Sequence, residues 1–480
     1  MDQIEKQDRL DSLKNLCALG IDPYPSRAER THSCVEAASL IEGSSAKIVG
    51  RMISKRDMGK LSFVHVQDES GRIQIALSQK EFSMPVYKQF TKYFDIGDFV
   101  EFEGSIFTTH KGEISLLAKN FIMVCKAIQP LPEKFHGLQD EQEKLRKRYL
   151  DIMQNPSLKE MFQKKAVFWS SMRRFLMDEG FLEVETPVLE TTPGGADAKA
   201  FVTHHDALDI DVYLRISMGE LWQKRLMVAG FEKTFEIGRQ FRNEGMSREH
   251  LQDYSQMEFY MAYSNYEDSM KLVEKMYKQV ILETFQKLKF DIQDFKDVDF
   301  EPKWGTIKFV DEIKRQIKID VMKAAESELI KKIKELKIVV ANLNSRGRII
   351  DALWKYCRRK IKGPVFLIDH PVSVSPLSKR KKDNPELTER FQIIIAGSEN
   401  GNGYSELNDP IDQAERFEKQ AELRLSGDIE AQMHDFDFVE ALEYGMPPTT
   451  GFGVSERLFS FLADKSIREC VLFPLMKKES

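Results

Sequence analysis

The spacing of apolar and polar positions divides this chain into segments of different period. Ile4, Leu10, Leu13 and Leu16 recur at near-helical spacing and Gly20 offers a C-terminal stop, so residues 2–20 read as a helix. From about 46 to 125 the pattern changes to short β-type runs: Ile48-Val49, Ser62–Gln67, Ile73–Ala76, Phe99–Phe107 and Ile114–Leu117. Met58-Gly59-Lys60, Ser70-Gly71, Ile96-Gly97-Asp98 and Lys111-Gly112 punctuate them. Pro130-Leu131-Pro132 is a stiff connector and 136–150 is polar, which predicts a barrel unit over 1–130, a linker over 131–150 and a larger unit over 151–480. In the larger unit Phe162, Ala166, Trp169, Met172 and Leu176 mark a helix that ends at Gly180. Phe181 to Thr186 alternates as a strand terminated by Pro187. Strands and helices then alternate to the C-terminus, with a charge-mixed helical insertion over about 311–365.

Five short strands in so few residues suit a small closed or partly closed barrel such as an OB-fold. The length of 480 residues allows roughly three domain-sized units, or two with one large. A net charge of −5 argues against attachment to nucleic acid by bulk charge. Locally, however, Lys47, Arg51, Lys55, Arg56 and Lys60 face only Asp57 in charge over 47–63, a strip that could touch a polyanion or simply be a solvated edge strand. The five cysteines form no CxxC pair, which disfavours a disulfide framework or a cysteine-rich zinc site. No apolar run is long enough for a membrane span, and the first residues lack signal-peptide order, so a cytoplasmic protein is expected.

Three constellations carry chemistry. Alternation over 234–262 places Arg242 and Glu244 on the polar face of one strand and Glu258 and Tyr260 on that of the returning strand, with His250 in the loop between them. An arginine held among carboxylates can clamp a phosphate bidentately, although cross-strand ion pairs on a solvated face would give the same pattern. In Gly397–Glu406, Asn402, Tyr404 and Glu406 share one face, with glycines opposite, and Glu399 and Glu406 could hold Mg²⁺ with substrate phosphates. Gly451–Arg457 reads as a strand or tight turn feeding an apolar helix, with Arg457 at the junction; it is no Walker A loop.

In order along the chain, these segments resemble the three signature motifs of the class II aminoacyl-tRNA synthetases. The motif 1 equivalent covers about 161–187 and ends Glu183-Val184-Glu185-Thr186-Pro187; motif 2 covers 234–262, from Phe241-Arg242-Asn243-Glu244-Gly245 to Met257-Glu258-Phe259-Tyr260; motif 3 covers 451–465 and contains Glu456-Arg457. Further strings are similar to the lysyl-tRNA synthetase family, of bacterial type. They are Pro132-Glu133-Lys134-Phe135-His136-Gly137-Leu138, Pro193-Gly194-Gly195-Ala196, Thr203-His204-His205, Ser375-Pro376-Leu377, Leu387-Thr388-Glu389-Arg390-Phe391 and Ser405-Glu406-Leu407-Asn408-Asp409.

The resemblance implies an α+β multi-domain fold: an N-terminal OB-fold β-barrel that binds the anticodon and a class II catalytic domain with an antiparallel sheet flanked by helices. It implies ATP-dependent activation of L-lysine and transfer of the lysyl group to the 3′-hydroxyl of lysine tRNA's terminal adenosine, in a homodimer formed through motif 1. Arg242 takes the place of the arginine that bridges amino-acid carboxylate and α-phosphate, and Arg457 that of the arginine beside adenine and the γ-phosphate. Glu244, His250 and Tyr254 complete the ATP site, Tyr254 as the aromatic that stacks on adenine. Glu399 and Glu406 match a Mg²⁺-binding pair. Glu220 would receive lysine's α-ammonium, and Glu406, with Tyr260 and Asn402, the ε-ammonium; Gly195 and Tyr404 line the same pocket. In the barrel, Phe63 would stack on an anticodon base, Gln74 and Glu113 would read base edges, and Arg51 would support the backbone.

The chain departs from the family pattern at several points. Ser217-Met218-Gly219-Glu220-Leu221 is one residue longer than the usual Ala-Pro-Glu-Leu, Glu249 stands where a basic residue is usual, and Leu251-Gln252 replace Asn-Pro. Ser398 replaces an arginine ahead of Glu399, and the motif 3 run before Arg457 is one residue short. Competing readings are an aspartyl- or asparaginyl-type sibling, to which Glu406 offers nothing, and a catalytically silent RNA-binding paralogue, which would have lost Arg242, Glu399, Glu406 or Arg457. A paralogue that lysylates protein usually lacks the barrel.

Overall fold

The computed structural model describes residues 2–132, 138–340, 343, 345–427 and 431–478, with the side chain of Asp2 left aside. Residues 133–137 of the Pro132–Leu138 string lie outside the described residues. The chain separates into two compact units, Met1–Gln139 and Asp140–Ser480. Helices Glu141–Arg146 and Arg148–Gln154 belong to the second, so the stretch expected as linker is helical over those spans.

In the first unit, helix Asp2–Ala18 precedes a closed barrel of β1 (Ser45–Asp57), β2 (Leu61–Gln67), β3 (Arg72–Ser78), β4 (Phe99–Thr108) and β5 (Ile114–Cys125), in the order β1-β2-β3-β5-β4. Period-two alternation builds it: Ile48, Met52, Val64, Val66, Ile75, Val100 and Leu116 point inward and are buried. Closure removes the exposed strand edges of an open sheet. Helix Met84–Tyr93 turns Phe90 into an aromatic cluster with Phe94, Phe102 and Phe121, at ring separations of 5.1–6.1 Å. The Lys55 ammonium donates to the carbonyls of Thr91 (2.7 Å), Phe94 (2.9 Å) and Phe90 (3.4 Å), satisfying acceptors that the end of this helix would otherwise leave open.

The second unit is organised by one eight-stranded sheet, in the order Gly305–Lys308, Val365–Pro371, Leu387–Ile395, Ser398–Ser405, Thr449–Ser455, Asp253–Ala262, Lys233–Phe241, Leu182–Glu183. The two outermost pairings are parallel and those between are antiparallel. The strand expected over 181–186 is thus two residues long, a parallel edge that Pro187 cannot extend. On one face Phe235, Met257, Phe259, Phe391 and Phe452 pack under helices Pro156–Asp178 and Tyr266–Phe285, which contribute Phe168, Met172, Phe175, Val273, Met276 and Tyr277. The stacked Phe391 and Phe452 rings, 5.7 Å apart, explain the glycines of the 398–405 strand: a Cβ on Gly401 or Gly403 would come within 2.8 Å or 2.7 Å of these rings. The glycines therefore make room for the core. Helices Phe309–Ile317, Glu326–Glu335 and Arg346–Arg358 occupy the predicted helical stretch and share a core with Leu367 and Ile394 of the sheet.

At the β4–β5 irregularity, a Cβ on Gly104 would lie 2.0 Å from the Leu117 carbonyl oxygen. Gly104→Ala is therefore expected to destabilise the protein by about 1–3 kcal/mol, the range for overpacking, read as a lower denaturant midpoint in equilibrium unfolding.

Candidate active site

The sheet's second face forms the wall of a cavity of about 270 Å³. Register puts the functional side chains there. Thr234 opposes Tyr260 and Glu236 opposes Glu258, so these even positions share one surface. The first strand ends at Phe241, however, and Arg242 and Glu244, expected on its polar face, lie beyond it in the loop. Asn402 opposes Gly453 and Tyr404 opposes Gly451 in the neighbouring pair. A bulge brings Glu399 to the same face: three residues separate it from Asn402, while their partners Ile394 and Gln392 are two apart. Gly195, Glu220, Arg242, Tyr254, Tyr260, Glu399, Asn402, Tyr404, Glu406 and Arg457 all line this one cavity. Glu244 and His250 line a small adjoining one, which shares Arg242, Tyr254 and Arg457 with it.

At one end, three carboxylates are buried together. Glu220 opens helix Glu220–Val228, whose preceding Gly219 has φ +67°. A Cβ there would lie 2.0 Å from Thr186 Oγ1, so glycine is what lets the longer Ser217–Leu221 turn close. Glu258 accepts hydrogen bonds from the Met218 amide at 3.0 Å and the Tyr260 hydroxyl at 3.0 Å. Glu406 is 1% exposed. Its charged neighbour is Lys224, whose Nζ lies 2.5 Å from Glu406 and 2.7 Å from Glu220. The Tyr404 hydroxyl donates to Glu220. Burial, opposed by Lys224 and reinforced by Glu220 and Glu258, pushes the Glu406 carboxyl up to about 8; burial and Glu220 push Glu258 up to about 7. Burial alone would lower the Lys224 pKa, but Glu220 and Glu406 outweigh it and raise it.

The other end is cationic. The Arg242 Nε donates to the Ile216 carbonyl at 3.2 Å, and its guanidinium lies 5.9 Å from the Tyr254 ring centre. Burial disfavours its charge, yet Tyr254, Glu244, Glu258 and Glu399 more than compensate and raise its pKa. Arg457 donates to the Glu399 carbonyl at 3.2 Å. It follows Glu456, a fully buried carboxylate that takes an ion pair from Lys165 of the Pro156–Asp178 helix. The His250 imidazole bonds Ser247 Oγ at 2.7 Å and is pushed down to about 4 by desolvation and by Arg457 and other arginines, so it is neutral at pH 7. Tyr254 is buried, with its hydroxyl bonded to Gln240. Two departures from the family pattern meet: Ser398 Oγ donates to Glu249 at 2.5 Å, tying the motif 2 loop to the Ser398–Ser405 strand.

Glu399 and Glu406 do not fit a single shared Mg²⁺. Seven residues of extended strand separate them by on the order of 20 Å, more than two glutamate side chains and two metal–oxygen bonds can span. Their surroundings differ too, since Glu399 has Arg358 at 3.8 Å and Glu406 has Lys224. Among the described residues no group of three or more His, Cys, Asp or Glu could hold a metal. Glu399 alone, at the cationic end, suits the usual magnesium arrangement of one or two carboxylates plus substrate phosphates.

On the barrel, Phe63 and His65 lie on the outer face of β2, and His65 opposes Gln74 of β3. Gln74 donates to Glu113 at 2.8 Å, His65 bonds Glu113 at 3.1 Å, and Ser115 donates to Gln74 at 2.9 Å. Gln74 and Glu113 are therefore brought together, with His65 as a member that sequence reading missed. Arg51 stays outside this network: it donates to the Gly97 carbonyl at 3.0 Å and stacks over Phe99 at 4.2 Å. The basic strip is also thinner than its sequence, because Lys47 pairs with Glu29 and Lys55 closes a helix, leaving Arg56 and Lys60 as its exposed members.

A barrel with a polar outer face and a cavity with cationic and anionic ends now have counterparts among known proteins. Residues 140–477 match the family model described as tRNA synthetases class II (D, K and N), and residues 46–124 match that of the OB-fold nucleic acid binding domain. The chain belongs to the class II tRNA synthetases. Similar class II synthetases include the lysine–tRNA ligase of Thermosipho africanus, 40% identical over 98% of this chain and 96% of that protein. That of Pelotomaculum thermopropionicum is 43% identical over 98% and 94%, and that of Roseiflexus sp. 42% over 98% of each. Around the cavity that the structure shows, sequence reading named residues of both ends but missed Lys224, and it placed Glu258 among the carboxylates around Arg242 and not at the amino-acid end. Glu258 carried a usable signal, its place in the alternation beside Tyr260. Lys224 carried none beyond an i, i+4 spacing from Glu220, which usually marks an ordinary surface pair.

Proposed function

We propose that this chain activates L-lysine with ATP and transfers the lysyl group to the 3′-hydroxyl of the terminal adenosine of lysine tRNA. The observation that carries the reading is the buried carboxylate end of the cavity, where Glu220, Glu258 and Glu406 surround a space suited to a dicationic amino acid. The names of the similar proteins support it. Aspartate would meet repulsion at that end, and asparagine would leave the carboxylates unpaired.

The chemistry is positioning and electrostatics. The lysine carboxylate attacks the ATP α-phosphorus, pyrophosphate leaves, and the terminal ribose hydroxyl of tRNA then attacks the acyl carbon of the adenylate, releasing AMP. Glu406, Tyr260 and Asn402 hold the ε-ammonium and Glu220 the α-ammonium, with Gly195 and Tyr404 closing the pocket wall. This directs the carboxylate toward Arg242, which stabilises negative charge as the new bond forms. Arg457, with Glu244, His250 and Tyr254, holds the nucleotide, and neutral His250 serves as a hydrogen-bonding group. Glu399 would hold Mg²⁺ together with the phosphates, and the ion would neutralise their charge. Phe63, Gln74 and Glu113 are placed to meet unstacked anticodon bases, with Arg51 shaping the adjoining turn.

The protein works as a homodimer through motif 1, which leaves Val167, Met177 and Leu182 exposed in the single chain, with Val188 and Leu189 exposed just beyond it. A mass near 111 kDa by light scattering, twice the chain's 55.6 kDa, is expected; a monomer at micromolar concentration would count against it. Among the described residues no helix is long and apolar enough to cross a membrane, and the reading places the enzyme in the cytoplasm with its tRNA.

ATP–pyrophosphate exchange across the twenty amino acids tests the function, followed by charging of lysine tRNA. Lysine should stimulate exchange most; best stimulation by aspartate or asparagine, or none at all, overturns the reading. Glu406→Gln should reduce lysine-dependent exchange by about 10²-fold or more, whereas Phe63→Ala should leave exchange intact and slow charging.

The raised Glu406 and Glu258 carboxyls give a pH test. Below about 8 and about 7 they carry protons in the lysine-free pocket, and an arriving ammonium must expel them. Lysine binding therefore releases protons, and the KM for lysine should fall as pH rises between about 6.5 and 8.5. A KM that is flat or rises over this window would contradict the assignment.

A further inference from the structure

Lys224 is a buried charge at the carboxylate end of the cavity that the scheme above does not use. It follows Glu220 by one helical turn, and its ammonium lies behind the cavity wall between Glu220 and Glu406, at 2.7 Å and 2.5 Å. The residue is 1% exposed and its Nζ lies 5.5 Å from the ring centre of Tyr404 and 5.8 Å from that of Phe438. Lys224 is the ion-pair partner that fixes the direction of the buried Glu406 carboxylate.

Two buried carboxylates so close to one point repel each other, and without a counter-ion one of them takes a proton. Once the arriving substrate has expelled the carboxyl protons, three ionised carboxylates and the Lys224 ammonium leave two negative charges, matching the two ammonium groups of lysine, whose carboxylate goes to Arg242. We propose that Lys224 is a positioning residue for amino-acid selection: it fixes the spacing of Glu220 and Glu406 and sets the pocket's charge to accept a dication. The inference rests on the lysine reading above. It differs from a purely structural role in acting on one substrate only, because the nucleotide end of the cavity has its own cations.

The test is lysine- and ATP-dependent exchange by the full-length protein and its Lys224→Met and Lys224→Arg variants, with thermal melting as a check of folding. Lysine-dependent exchange by the unmodified protein must be seen first; its absence defeats the lysine reading and leaves no selection for Lys224 to serve. Given that exchange, Lys224→Met should raise the KM for lysine about tenfold or more while the KM for ATP stays within about twofold, and Lys224→Arg, which keeps the charge but alters the spacing, should fall between. An unchanged or lowered lysine KM in Lys224→Met overturns the proposal, a lowered one meaning that Lys224 competes with the substrate for the carboxylates. Parallel rises in both KM values overturn it as well. If Lys224→Met does not fold, Lys224→Arg decides alone: a lysine KM raised several-fold with the ATP KM unchanged supports the role, and a lysine KM equal to that of the unmodified protein defeats it.

Discussion

Burying like charges together is the constraint around which the second unit is built. A lone carboxylate taken from water loses several kcal/mol of solvation, and three in one pocket repel as well. The protein meets this with neutral donors, the Met218 amide and the Tyr260 and Tyr404 hydroxyls, and with one ammonium. Such an arrangement adds little to stability, since an apolar cluster of the same volume would serve as well or better. Its retention makes sense as preorganisation: the dipoles and charges that a cationic ligand needs are in place before it arrives.

The sheet supplies the rigidity. Strands contribute to both sides of the same layer: Phe259 holds the core while Glu258 and Tyr260 face the cavity, and Phe452 does so while Gly451 leaves room for Glu406 and Tyr260 and Gly453 for Glu258. A one-residue slip in any pairing would exchange core and site. The stacked Phe391 and Phe452 rings and the paired register of 233–241 with 253–262 therefore protect the chemistry as well as the fold. Glu456 adds a tie at the edge, joining the long Pro156–Asp178 helix to the turn that carries Arg457.

What the sequence made legible was periodic. Five alternating runs gave the barrel, and the even positions of 234–262 gave the polar face, because strand alternation is local and survives any tertiary arrangement. The bulge that carries Glu399 onto the face of Asn402 was not legible, since strict alternation puts the two on opposite faces, and sequence spacing suggested a metal pair where the strand keeps Glu399 and Glu406 far apart. Lys224 and Lys55 were opaque for a different reason. A lysine in a charged run looks the same whether its ammonium meets water, a helix end or two buried carboxylates, and only long-range packing distinguishes these. The basic strip was overestimated on the same account, and His65 became visible only when β2 met β3.

The Ser398–Glu249 hydrogen bond has a consequence for how nucleotide reaches the site. A basic residue and an arginine at these two positions would add to the positive field of the ATP end, whereas a hydroxyl and a carboxylate subtract from it while still fastening the loop. Fixed cations at the mouth raise the encounter rate of a polyanion through long-range steering, a contribution that salt erodes. With the loop fastened by a short-range contact instead, the proposed ATP-dependent function would rely less on attraction at a distance and more on Arg242 and Arg457 at close quarters. On that function, association of the nucleotide would be less sensitive to the ionic strength of the surroundings.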